Sequence, residues 1–272
     1  MFAKLLKYEW KSNVRLLTLL GACALGLGCI SALILRLLTA NWELLIAKDE
    51  GILFIIPAIL FLFAAYIGII LYASSSNFIL LFRFYRSHFS DEGYLTFTLP
   101  VKTSHIFLSS ALNILIWNAI TIIVVLSSLA IAIVLGPVWP ETAAAEAKMF
   151  FEDSISVFSF EGIGYILATV FNLLATLLYG LIAPMSAVVL GATAAKKHKV
   201  LAIIGIMIGL TVATNTASGL ISGILMIFTF TAENTQVLTT ISPLLQSIVP
   251  LFVAVGGYFL SIRLMKKKLN LP

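Results

Sequence analysis

The three histidines of this 272-residue chain, His88, His105 and His198, are the side chains best suited to metal or acid–base chemistry. None has a partner at the required spacing: no H-E-x-x-H run places two imidazoles on one helix face to hold zinc. Gly191-Ala192-Thr193-Ala194-Ala195-Lys196-Lys197 sets a glycine and a lysine at roughly the separation of a phosphate-binding loop. It lacks the second glycine and the Ser/Thr that complete the cradle and hold magnesium. Cys23 and Cys29, six residues apart on different helix faces, read as packed thiols forming neither a disulfide nor a metal site. The residue types that do concentrate are those of recognition. Residues 90–102, SDEGYLTFTLPVK, carry two acids, a glycine, two aromatics and a proline between long apolar runs. The chain therefore reads as a binding protein with no catalytic site or cofactor of its own.

Those residues sit in a strongly apolar sequence: 61% hydrophobic, 11% charged, mean hydropathy +1.09. A soluble domain is about 25% charged. About 20 apolar residues in a helix cross the roughly 30 Å hydrocarbon core of a bilayer, and the runs lack the alternation of barrel strands. The expected fold is an all-α integral membrane protein with six spans near Leu16–Leu38, Gly51–Ser74, Ile106–Leu135, Gly164–Leu190, Val200–Phe230 and Pro243–Leu264. The fifth is long for one straight crossing. Thr214, Asn215, Thr216 and Gly219 interrupt its second half, so a kink or a fold back near the outer surface is expected there.

The basic residues orient the spans. Lys4, Lys7, Lys11 and Arg15 precede the first span, Arg83, Arg86 and Lys102 follow the second, Lys196, Lys197 and Lys199 follow the fourth, and Arg263, Lys266, Lys267 and Lys268 close the chain. Only Arg36, Lys48 and Lys148 remain for the other side. The positive-inside rule then puts both termini in the cytoplasm, as an even number of spans requires. The net charge of +5 follows from this topology and implies no nucleic acid. Leu20-Gly21-Ala22-Cys23 has the outline of a lipoprotein cleavage box, but only about five apolar residues separate it from Arg15, fewer than a signal-peptide core needs. No ionisable side chain falls at mid-depth in a span, which disfavours a proton- or sodium-driven carrier.

Two cytoplasmic elements remain. Residues 1–15 form an amphipathic helix, with Lys4, Lys7, Lys11 and Arg15 on one face and Phe2, Leu5, Leu6 and Trp10 opposite, expected to lie along the inner leaflet as a segment distinct from the six-span domain 16–272. Glu9 falls within the apolar sector, where an uncompensated carboxylate is costly, so it should have a partner. The loop 82–105 between the second and third spans presents Phe89, Tyr94 and Phe97 beside Asp91 and Glu92, with Pro100 ending the run Leu95–Leu99 and Ser104 as an N-cap. Composition leaves two uses for these aromatics, packing at the membrane interface or docking a protein.

Leu6-Lys7-Tyr8-Glu9-Trp10-Lys11 and Phe89-Ser90-Asp91-Glu92-Gly93-Tyr94-Leu95-Thr96-Phe97-Thr98-Leu99-Pro100-Val101 resemble the permease subunits of bacterial ABC transporters of the type-2 exporter family, especially those of Gram-positive bacteria. The six-span layout with an amphipathic N-terminal helix is similar over the whole chain. The resemblance implies a cytoplasmic coupling helix that docks on a separate ATPase, which carries the ATP and magnesium. It places the docking element at Ser90–Leu95, with Phe89 and Tyr94 as apolar anchors, Glu92 as the polar contact, Asp91 and Gly93 within it, and Glu9 beside it. It also implies a second permease chain, identical or homologous, and a bacterial cytoplasmic membrane.

On that resemblance, the second and fifth spans line a central cavity at the subunit interface. The candidate substrate path is then Phe61, Phe63, Tyr66 and Tyr72 with Thr211, Asn215 and Ser218, suited to an amphipathic or hydrophobic substrate such as a peptide or antimicrobial. The fifth span also carries Gly205-x-x-x-Gly209 and Gly219-x-x-x-Gly223, spacings that let helix backbones approach in lipid. Packing within one subunit is the simpler use for them. The external loop 136–163 is acidic, with Glu141, Glu146, Glu152, Asp153 and Glu161 against Lys148, which favours cationic ligands or simply reflects exclusion of bases from outer loops. The rival from another class is a non-transport membrane assembly factor or sensor whose cytoplasmic loop recruits a regulator.

Overall fold

The computed structural model describes residues 2–47, 51–90, 93, 103–139, 146, 148–149, 160–195, 197–231 and 235–268. The helices are α1 (Phe2–Ala40), α2 (Trp42–Ala47), α3 (Gly51–Phe89), α4 (Thr103–Leu135), α5 (Phe160–Ala194), α6 (Lys199–Thr231) and α7 (Thr235–Lys268). Among the described residues there is no strand, and six helices are long and apolar enough to cross a membrane, the architecture of a multi-pass membrane protein.

The helices outrun the apolar stretches that mark them. α3 continues past Ser74 because Ser74, Ser75, Ser76 and Asn77 donate to carbonyls one turn back, at 2.6–3.2 Å. Such back-bonding satisfies the polar side chains inside the helix they would otherwise interrupt. The same device removes the expected break in the fifth span. Thr211, Thr214, Thr216 and Ser222 bond to Met207, Leu210, Val212 and Ser218 carbonyls at 2.6–2.8 Å, and α6 runs unbroken for 33 residues. A helix of that length spans about 50 Å, so it crosses a bilayer tilted or with its ends outside the hydrocarbon.

The N-terminal segment also differs from expectation. Residues 2–15 are not a separate helix but the first four turns of α1, 39 residues long. Lys4, Lys7, Lys11 and Arg15 are exposed, and Leu5, Leu6 and Trp10 are half-buried. Trp10 stacks on Trp117 of α4, centroids 4.7 Å apart, so this part of the apolar face is covered by the chain's own helix rather than lipid.

The chain divides into two compact units, Met1–Phe82 with Leu112–Ala143, and Arg83–Ala111 with Ala144–Pro272. α3 and α4 contribute to both. In the first unit, glycines set the packing. A Cβ on Gly28 would lie 2.7 Å from the Ser128 carbonyl oxygen, and one on Gly21 would lie 3.2 Å from the Tyr72 hydroxyl. The C-terminal end of α1 is tied to the end of α4 by the Val138 N–H, which donates to Thr39 Oγ1 at 2.9 Å. Cys23 and Cys29 are exposed free thiols, not the packed ones expected, because a lipid-facing surface accepts a small apolar side chain without cost.

In the second unit α5 is the centre, packed against both α6 and α7. Residues Met185–Val189 are all buried, and a Cβ on Gly257 of α7 would lie 3.1 Å from Ser186 Oγ. Asn172 Nδ2 donates to the Pro243 carbonyl at 2.9 Å, tying α5 to α7 near their other ends.

Candidate functional site

The loop singled out by sequence departs from a buried aromatic cluster in the second unit. Phe107, fully buried near the start of α4, meets Phe84 of α3 edge-on at 6.1 Å and Tyr258 of α7 edge-on at 5.8 Å. His88 packs on Phe84 at 4.7 Å, with its Nδ1 2.9 Å from the Phe84 carbonyl and 2.7 Å from Ser87 Oγ. Edge-to-face aromatic pairs of this kind are worth about 0.5–1.5 kcal/mol each beyond their buried area.

Phe89 belongs to this cluster. Its ring lies 6.3 Å from Phe84 and 6.4 Å from Tyr85, and it is half-buried. Both neighbours lie on α3 itself, so these contacts pack the ring along the last turns of that helix, directly before the loop. One turn on, the Gly93 N–H donates to the Ser90 carbonyl at 2.9 Å, and a Cβ at Gly93 would come 2.5 Å from the His88 carbonyl oxygen. Only glycine fits that approach. Asp91, Glu92, Tyr94 and Leu95, like Phe97 and Pro100, lie outside the described residues. Glu9 on α1 is half-buried and is not without a partner, in keeping with the need read from its place in the apolar sector.

The residues of the candidate substrate path do not come together on α3. Phe61 and Tyr66 are exposed, whereas Tyr72 is buried in the first unit against Gly21 of α1. On α6 the three polar residues do share a stripe. Thr211 and Asn215 are exposed and Ser218 is half-buried, at the i, i+4, i+7 positions of one face. Thr214, one residue round, accepts or donates a 2.7 Å hydrogen bond with Tyr179 of α5, and fixes which face of α6 turns inward.

Gly205, Gly209, Gly219 and Gly223 have nothing within 4 Å of where a Cβ would stand, and all four are exposed. Together with the exposed Val212 and Thr216 they form one small-residue face along α6. Packing within one subunit, the simpler expectation, is therefore not their use. The glycines that do pack within the unit are Gly191 and Gly257; a Cβ on Gly191 would lie 2.6 Å from the backbone of Ile203, at the turn from α5 into α6. Neither glycine stands in a G-x-x-x-G spacing, which is why motif reading passed over both.

Among the described residues no group of three or more His, Cys, Asp or Glu side chains gathers as metal ligands would. Comparison with protein-family models, curated proteins and solved structures found no match.

Proposed function

We infer that this chain is the membrane-spanning permease subunit of an ATP-driven exporter, carrying an amphipathic or hydrophobic substrate outward and powered by a separate nucleotide-hydrolysing subunit. The observation that carries the reading is where the loop after α3 begins: directly beyond His88 and Phe89, whose rings pack with Phe84 of the Phe84–Phe107–Tyr258 cluster, and with Gly93 closed back on the His88 carbonyl. A coupling element must pass displacement into the spans, and a loop rooted in close-packed aromatics moves with them. In this reading Asp91, Glu92, Tyr94 and Leu95 make the contact, with Tyr94 as the apolar anchor, while Phe89 and Gly93 stand at the base.

Both termini are cytoplasmic, and the functional unit contains two permease chains in a bacterial cytoplasmic membrane. The bare glycine face of α6 supports pairing with a second chain, because small residues bring helix backbones close in lipid and those of α6 meet nothing among the described residues of their own chain. Purification in mild detergent tests the reading. A subunit that hydrolyses ATP is expected to accompany the chain, and a chain that is reproducibly recovered with a non-hydrolysing cytoplasmic protein instead points to recruitment without transport.

A further inference from the structure

A cavity of about 560 Å³ opens in the first unit at the end of α1 remote from the basic N-terminus. Ile34 and Leu38 of α1 and Asn41 just beyond it form one wall, Leu45 of α2 caps it, and Phe54 and Ala58 of α3 close it. The volume lies within the roughly 300–1,000 Å³ of small-molecule sites. The walls are held in place. Leu35 and Thr39, on another face of the same turns of α1, are locked to the end of α4 through the close approach of Gly136 and the Val138–Thr39 hydrogen bond. Gly51, the first residue of α3, sits so close to the Leu45 carbonyl that a side chain there would collide with α2.

The chemistry of the cavity selects its occupant. Among the described residues that line it none is charged, and Arg36 projects from the opposite side of α1. Asn41 is the one polar side chain among the described lining residues, and its Nδ2 already donates to the Leu37 carbonyl at 2.9 Å. Water is not retained in a space so poor in polar partners. Left empty, the lining would lose dispersion contacts on one side. The cavity adjoins the exposed residues Ile52, Leu53 and Ile56 of α3, in a helix that crosses the membrane, and Trp42 stands exposed at its edge, where an amphipathic ring marks headgroup depth.

We propose that this cavity is a binding site for one acyl chain of a bilayer phospholipid, the headgroup remaining at the interface beside Trp42 and Asn41. The chain completes the packing of α1, α2 and α3 at that membrane surface. The assignment rests on the membrane architecture alone and stands or falls independently of the exporter reading.

The test uses the full-length protein in phosphatidylcholine vesicles doped with phosphatidylcholine bearing a photoreactive diazirine on one acyl chain, with labelled residues located by mass spectrometry. Labelling is expected at Leu38, Leu45 and Phe54 above that at Leu60 and Phe63, which are exposed on α3 outside the cavity. Ala58→Trp, which fills the cavity from α3, and Leu38→Phe, which fills it from α1, should each lower labelling of the remaining lining residues severalfold and leave Phe63 unchanged. The two variants act from opposite walls, so a folding failure in one leaves the other decisive. Lining residues labelled no more than Leu60 and Phe63, labelling indifferent to both fillers, or cross-links from Phe54 to a second protein chain would each overturn the assignment.

Discussion

α5 and α6 belong to the same unit and are almost equally apolar, with mean hydropathy 2.1 and 1.9 over their spans, yet 44% of the α5 window is buried and only 6% of the α6 window. The C-terminal half of α5 is mostly enclosed, with Met185–Val189 all buried, while α6 touches its own chain along one side. Lipid is as apolar as leucine, so hydrophobicity does not decide which helix is enclosed. Small residues and single hydrogen bonds do. Gly191 and Gly257 let α6 and α7 approach α5, and Tyr179–Thr214 sets the rotation of α6, whereas the four glycines of the α6 motifs are exposed with nothing near them among the described residues.

The sharpest way to break the contrast is truncation on each side of it. Met185→Ala, at a fully buried site in α5, should cost about 2–5 kcal/mol through the cavity it leaves. Ile208→Ala on α6, 59% exposed, should stay within about 0.5 kcal/mol. Unfolding titrations in mixed micelles measure both, and equal costs would erase the distinction. Next in size, Gly191→Ala pushes a methyl against the Ile203 backbone and should destabilise by about 1–3 kcal/mol in the same titration. Tyr179→Phe removes one interhelical hydrogen bond and should cost about 0.5–1.5 kcal/mol, with Thr214 still bonded to the Leu210 carbonyl. Smallest of all on the single chain is the pair Gly209→Leu and Gly219→Leu. It should leave unfolding nearly unchanged, since nothing stands near either position, while lowering the dimeric fraction in single-molecule photobleaching of liposomes.

The spans were legible in sequence because about 20 apolar residues in succession have one use in a membrane protein, and all six appear as helices. Their ends were not. Ser74 to Asn77 look like a terminus yet hydrogen-bond within α3, and Thr214 and Thr216 look like a break in α6 yet do the same. The start of the loop after α3 was legible in part: Phe89 and Gly93 stood out by type, but the cluster it leaves from is completed by Phe107 and Tyr258, far away in sequence. Tyr66 and Tyr72 look alike in sequence, yet Tyr66 is exposed and Tyr72 is buried against Gly21, a difference that depends on α1. The cavity between α1, α2 and α3 left no trace in sequence, since its lining is as apolar as the lipid-facing surface around it.

The central claim is that the loop after α3 couples this chain to an ATPase, and substrate-stimulated ATP hydrolysis by the reconstituted complex tests it most directly. An interface aromatic typically contributes over 1 kcal/mol and an exposed charge about 0–1 kcal/mol. Tyr94→Ala should therefore reduce stimulated hydrolysis and recovery of the ATPase more than Asp91→Asn does. Glu92→Ala should fall between them, or match the aromatic where docking buries its carboxylate. Membrane insertion should be unaffected in all three. Unchanged ATPase recovery and unchanged stimulated hydrolysis in the double variant Glu92→Ala, Tyr94→Ala would contradict the account.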